Sequence, residues 1–240
     1  MPPERLRGIL LDKDGTLIDF DRTWGPAAYA VMTRVADGDR GRIEALMRVS
    51  HYVEDERRFL ATSPLIAGSS AVYGPLWARA LGCAAGPALY GEMDRLFREE
   101  GLRALTPIGQ PAQIAATLTE RGHAVGIATN DAEASARAQG TALGLDPYLA
   151  FVAGYDSGHG GKPEPGMVLA FAAHLGVAPT AVALVGDSTY DLVAARAAGA
   201  MAIAVLSGPA GEGARTELAP LADHVIGSIM DLPALLAGMS

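Results

Sequence analysis

Residues 7–17 read RGILLDKDGTL, an apolar run that ends abruptly in Asp12-Lys13-Asp14-Gly15-Thr16. The run is too short for an ordinary helix and lacks polar alternation, which is how a strand buried on both faces reads. The Asp-Gly pair after it marks a turn. Working outward, further apolar runs occur at 123–129 (HAVGIAT), 150–153 (AFVA), 181–186 (AVALVG) and 200–205 (AMAIAV), with 224–226 as a candidate edge strand. Helical patterns over 111–121, 132–143, 165–175 and 190–198 lie between them. Pro111 and Pro165 suit first helical turns, and Gly122, Gly144, Gly176 and Gly199 suit C-terminal caps. Strands alternating with helices of this length predict an α/β fold, a Rossmann-like parallel sheet flanked by helices.

One segment breaks the alternation. From Phe20 to Ala104 the sequence offers no convincing strand, only helical patterns near 26–36, 40–53, 71–81 and 87–100. An insertion with its own structure at this point predicts an all-helical cap. The expected organisation is a core domain of residues 1–19 and 105–240, with a helical cap domain at 20–104. Residues 207–215 (SGPAGEGAR) read as a mobile surface loop.

Composition narrows the function. Half the residues are hydrophobic and 19% are charged, as in an ordinary globular protein. No apolar run approaches the roughly 20 residues of a membrane helix, and the run at 8–11 is far short of a signal-peptide core of about 7–15 residues. The expected location is therefore the cytoplasm, with no membrane partner. A formal charge of −8 argues against a nucleic-acid partner, which wants a basic face. Cys83 is the only cysteine, so an internal disulfide and a thiolate zinc site are excluded; its neighbours suggest a small buried residue. Only Lys13 and Lys162 are lysines among nineteen basic residues. Arginine does not replace a compact ammonium at a tight site.

Ligands of open parallel sheets bind beyond the carboxyl ends of the strands. Four such ends carry polar groups here: Asp12 and Asp14, Thr129-Asn130-Asp131, Lys162 after a glycine-rich turn, and Asp187 with Asp191. Extended backbone points Asp12 and Asp14 the same way. A helix starting near Ser188 puts Asp187 and Asp191 on one face. Four carboxylates at one edge repel unless a cation sits among them, and hard oxygen donors favour Mg2+. A free aspartate ionises near pH ~3.9, so Asp12 needs no base to act as a nucleophile. Asp14 suits the acid/base role, protonating a leaving oxygen and then helping water attack. Lys162 neutralises Asp12 and phosphoryl oxygens, while the Thr129 hydroxyl and neighbouring amides hold an oxygen.

With these residues in order, the chain resembles the haloacid dehalogenase superfamily. DKDGTL, Thr129-Asn130, Lys162-Pro163-Glu164-Pro165 and GDSTYDLVAARAAG look like its four motifs and span Asp12 to Gly199. The resemblance implies Asp12 as nucleophile, Asp14 as acid/base, and Thr129, Asn130 and Lys162 on phosphate. It implies Mg2+ held by Asp12, the Asp14 main-chain carbonyl and Asp187, with Asp191 close by. The whole chain is most similar to the phosphoglycolate phosphatase-like group. The implied function is a Mg2+-dependent phosphatase that cleaves a small phosphate monoester through a phosphoaspartate.

Other readings set bounds. A phosphomutase shares the four motifs, and sugar phosphates, nucleotides or pyrophosphate are alternative substrates. A receiver-like phosphoacceptor module also places Asp, Thr and Lys after parallel strands, but lacks the insertion and the fourth motif. A true dehalogenase does not need Asp14, and a phosphonate hydrolase needs a cap lysine that is absent. Lys13 alternates away from the acids and reads as structural or solvent-facing. The five histidines show no metal-ligand spacing. Oligomeric state is not legible.

Overall fold

The computed structural model of the chain describes residues 6–66 and 68–239. After β1 (Gly8–Leu11) come α1 (Phe20–Val35), α2 (Arg40–Val49), β2 (Tyr52–Val53), β3 (Arg58–Phe59), α3 (Ser70–Leu81) and α4 (Pro87–Arg103). Alternation then resumes with α5 (Pro111–Glu120), β4 (Ala124–Ala128), α6 (Glu133–Ala142), β5 (Leu149–Ala153) and α7 (Gly166–Leu175). It continues through β6 (Val182–Gly186), α8 (Thr189–Ala198), β7 (Met201–Val205), α9 (Arg215–Leu218), β8 (His224–Ile226) and α10 (Leu232–Ala237). Residues up to 19 together with those from 107 onward form one compact unit, and residues 20–106 form another.

The larger unit is built on a parallel sheet ordered β5-β4-β1-β6-β7-β8. β1 and β6 are buried along their whole length, as central strands covered on both faces must be. β1 is central, with β4 on one side and β6 on the other, so the chain reverses direction across the sheet there. Leu11 lies opposite Ile127 on one side and Val185 on the other. The loops after β4, β1 and β6 therefore leave the sheet at one edge, the crevice where such folds bind ligands.

The nearly all-apolar α7 covers this sheet, burying Met167, Val168, Phe171 and Ala172. The Phe171 ring lies 5.5 Å from that of Phe151 on β5. Fully burying such a side chain contributes about 1.5–3 kcal/mol. Gly176 and Gly199 end α7 and α8 in the left-handed conformation that a glycine adopts without a Cβ clash.

The inserted unit has an aromatic core. The Phe97 ring meets Trp24, Tyr73 and Trp77 at centroid distances of 6.1, 6.1 and 5.7 Å. Trp77 is fully buried and donates its Nε1–H to Ser50 Oγ at 2.9 Å, which satisfies its one polar atom. This unit is not purely helical as expected, because α2 stops at Val49 and Tyr52–Val53 pairs with Arg58–Phe59 in a short antiparallel hairpin. Strands of two residues are too short to carry a period-two signal. Tyr52 and Phe59 pack edge to face across the pair, and the Tyr52 hydroxyl donates to the Gly25 carbonyl at 2.7 Å. Cys83, expected to be buried, is exposed just beyond the Gly82 cap of α3. Among the described residues no helix is long and apolar enough to cross a membrane.

Candidate active site

The loop after β1 begins as a continuation of the strand, with Asp12 N–H donating to the Val185 carbonyl at 2.8 Å. It then turns sharply: the Lys13 carbonyl accepts from the amides of Thr16, Leu17 and Ile18. Gly15 sits at φ +83°, where a Cβ would also collide with the Asp187 carboxylate. A side chain there would be strained by the backbone angle and would have to displace that carboxylate.

Lys162 is the hub. Its ammonium donates to Asp12 Oδ1 at 2.5 Å, Asp191 Oδ1 at 2.5 Å and the Ala128 carbonyl at 3.0 Å. Those three bonds use all three of its protons, and all three side chains are buried. Asn130 fixes where Lys162 stands. Its Nδ2 donates to the Lys162 carbonyl at 2.9 Å, and its Oδ1 accepts from the Lys162 amide at 2.8 Å. Asn130 is expected beside phosphate, and its side-chain amide grips the main chain of the lysine. Thr129, 1% exposed, accepts the Asp131 amide on its hydroxyl oxygen at 3.0 Å, leaving the hydroxyl proton available.

Ser188 caps α8, and Asp191 closes a capping box with it. Asp191 Oδ2 accepts from Ser188 Oγ at 2.6 Å and from the Ser188 amide at 3.1 Å. With Oδ1 on Lys162, both Asp191 oxygens are engaged by protein donors. Asp12, Asp187 and Asp191 nonetheless bring one carboxylate oxygen each within 4.8 Å of one another.

Three carboxylates share a single ammonium in a desolvated pocket. Burial pushes the Asp12 carboxyl up to about 7, reinforced by the Asp191 and Asp14 charges and opposed by Lys162. Burial, then Asp12 and Asp191, push Asp187 well above the usual carboxylate range. Against its own burial, Asp12 and Asp191 drive the Lys162 ammonium up. The expectation that Asp12 is simply ionised at neutral pH thus holds for a free aspartate but not for this cluster alone. An all-oxygen set with excess negative charge is the donor chemistry that a hard divalent cation satisfies.

Two features escaped the sequence reading. Lys13 does not face solvent; it is 1% exposed and forms ion pairs with Asp14 at 2.7 Å and Asp131 at 3.1 Å. Against its burial, these two acids drive its ammonium up. The loop read as a mobile surface segment begins with two residues that border the site. Ser207 Oγ donates to the Gly15 carbonyl at 2.7 Å, and a Cβ on Gly208 would overlap the Asp187 carboxylate. Both follow β7, so applying the strand-end rule to that strand would have found them.

Comparison with known proteins identifies a family. Residues 6–199 match the family model of the haloacid dehalogenase-like hydrolases. The chain is 31% identical over 202 residues to the probable phosphatase IndB of Dickeya dadantii, covering 83% of this chain and 81% of that protein. It is 28% identical over 222 residues to the phosphoglycolate phosphatase of Escherichia coli, covering 85% and 83% of the two chains. A crystal structure of a HAD family hydrolase from Deinococcus radiodurans, with bound phosphate and sodium, superposes with a TM-score of 0.67 at 22% identity. It covers 100% of this chain and 97% of that one.

Proposed function

The chain belongs to the haloacid dehalogenase-like hydrolases and is an enzyme of the phosphatase kind, and on that premise we propose a specific reaction. It cleaves a small phosphate monoester of the phosphoglycolate type by way of a phosphoaspartate at Asp12. The observation that carries this reading is the buried contact of Asp12 Oδ1 with Lys162 Nζ, beside Asp187 at the carboxyl edge of the sheet.

Held by one oxygen, Asp12 presents the other to phosphorus. The P–O bond to the leaving group breaks as the Asp12–phosphorus bond forms, and Asp14 gives a proton to the departing oxygen. Water then attacks phosphorus, Asp14 takes its proton, and the Asp12 carboxylate is regenerated as inorganic phosphate leaves. The Thr129 hydroxyl and nearby main-chain amides hold the phosphoryl oxygens, Lys162 offsets their charge from its place beside Asp12, and Asn130 serves through its grip on Lys162. Positioning and charge neutralisation of this kind are most of what phosphoryl transfer needs.

Asp12, Asp187 and the Asp14 main-chain carbonyl would hold Mg2+, with Asp191 kept one step back by Ser188 and Lys162. When bound, the ion neutralises the carboxylates and the charge that gathers on the phosphoryl group. The 28% identity to a phosphoglycolate phosphatase across most of both chains supports the substrate type.

Phosphate release from a panel of esters, run with Mg2+ and again with EDTA, tests the proposal. Multiple turnovers on phosphoglycolate or a similar alkyl phosphate, abolished by EDTA, are expected. Turnover indifferent to chelation removes the metal role. A single equivalent of phosphate uptake with no release marks a phosphoacceptor module instead, and interconversion of sugar phosphates marks a mutase.

A further inference from the structure

Lys13 stands next to the proposed nucleophile, yet no step above uses it. It is one of two lysines in the chain and is 1% exposed. Burying an ammonium is costly, and a buried ion pair stabilises a fold no better on average than apolar residues of similar size. Stability alone is therefore a poor account of a lysine that follows the apolar run of β1.

The geometry gives a better one. Lys13 Nζ lies 2.9 Å from Asp14 Oδ1 and 2.7 Å from Asp14 Oδ2, so it engages both oxygens of one carboxylate. It also lies 3.1 Å from Asp131 Oδ2. Asp131 is itself anchored: its Oδ1 accepts the Ala132 amide at 2.7 Å, and its own amide donates to Thr129 Oγ1. One ammonium thus ties the acid/base group on the β1 loop to the turn on the β4 loop that carries Thr129. A carboxylate gripped by both oxygens cannot swing freely about its side-chain torsions. A general acid works only when held within about 2.6–3.2 Å of the atom it protonates.

We propose that Lys13 is a positioning residue, which sets the Asp14 carboxyl for proton transfer and is itself set by Asp131. The proposal rests on the phosphatase reading above and deepens it. It also accounts for Asp131, which follows the phosphate-holding Thr129 and has no other task in the mechanism.

The test uses kcat/KM, which reports steps up to the departure of the leaving group, on two esters. Phosphoglycolate, or the alkyl ester of the panel that the wild-type enzyme turns over fastest, needs its leaving oxygen protonated; 4-nitrophenyl phosphate hardly does. General acid catalysis is worth about 10²–10⁴-fold, so loss of positioning in Lys13→Met is expected to lower kcat/KM on the alkyl ester at least about tenfold. The loss on 4-nitrophenyl phosphate is expected to be much smaller. In an Asp14→Asn background, Lys13→Met should have no further effect, since residues acting as a unit are not additive. Asp131→Asn, at a partly exposed position, should give the same leaving-group pattern more weakly, and it carries the test where Lys13→Met does not fold. Equal losses on both esters, or an undiminished effect of Lys13→Met in the Asp14→Asn background, overturn the role of Lys13 and leave the phosphatase reading intact. A wild-type enzyme that cleaves neither ester overturns that reading and this proposal with it.

Discussion

Asn130 holds the main chain of Lys162 at both ends, donating to its carbonyl at 2.9 Å and accepting its amide proton at 2.8 Å. The two residues are 32 positions apart, so this pair of bonds fastens the glycine-rich loop after β5 to the strand end that carries Thr129. It decides where the ammonium meets Asp12 and Asp191.

Removing that clamp should act on catalysis more than on folding. Asn130→Ala deletes two hydrogen bonds, each with a net worth of about 0.5–1.5 kcal/mol, at a half-buried position. A fall in kcat/KM of about tenfold or more is expected, with only a modest drop in Tm. A variant with wild-type kinetics would show that Lys162 finds its place without Asn130.

Protons and metal should compete for the carboxylate cluster. Burial raises Asp12 to about 7, and burial together with Asp12 and Asp191 raises Asp187 well above the usual range. A carboxyl whose value is higher in the fold than in the unfolded chain stabilises the fold fully below its unfolded value. That contribution is lost as pH rises through the folded value. The metal-free protein should therefore lose stability as pH rises above about 4, through Asp12 up to about pH 8 and through Asp187 as well, while cation binding needs both ionised. Melting curves with and without Mg2+ should differ more at about pH 8 than at about pH 5. Equal Mg2+ shifts at both values would mean that these acids do not bind the ion.

Gly208 offers a way to disturb the metal side of the site without touching a proposed ligand. A Cβ there would overlap the Asp187 carboxylate and force it to move. Gly208→Ala should raise the Mg2+ concentration needed for half-maximal activity by about tenfold, an order suggested by losses on mutating partners of metal ligands. Its activity at saturating Mg2+ should be much less affected. An unchanged Mg2+ requirement would place the ion away from Asp187.

Much of this site is readable from the chain because parallel sheets deliver their ligand-binding groups at strand ends. Asp12, Thr129 and Asp187 each follow an apolar run, Lys162 follows the glycine-rich turn after another, and the register that levels β4, β1 and β6 follows from burying those runs together. What was not readable depends on tertiary neighbours. Alternation sent Lys13 away from the acids, but the backbone has already turned there, with the Lys13 carbonyl closing the loop to Leu17 and Ile18. The use of both Asp191 oxygens, one on Lys162 and one on Ser188, has no sequence periodicity behind it. Neither does the raised Asp12 carboxyl, which arises from desolvation first and then from Asp191, distant in the chain, as well as from nearby Asp14. The hairpin of β2 and β3 was missed for another reason: each strand contributes only two residues.

The account turns on whether phosphorus is transferred to a side chain of the protein. Turnover can be quenched in acid with a 32P-labelled ester, the trapped acyl phosphate reduced with borohydride, and the chain mapped by mass spectrometry. Label at Asp12 in the quenched protein, reduction of that residue to homoserine, and loss of both label and turnover in a folded Asp12→Asn variant are the predicted results. Sustained phosphate release by the Asp12→Asn variant, or label on any other residue, would contradict the account.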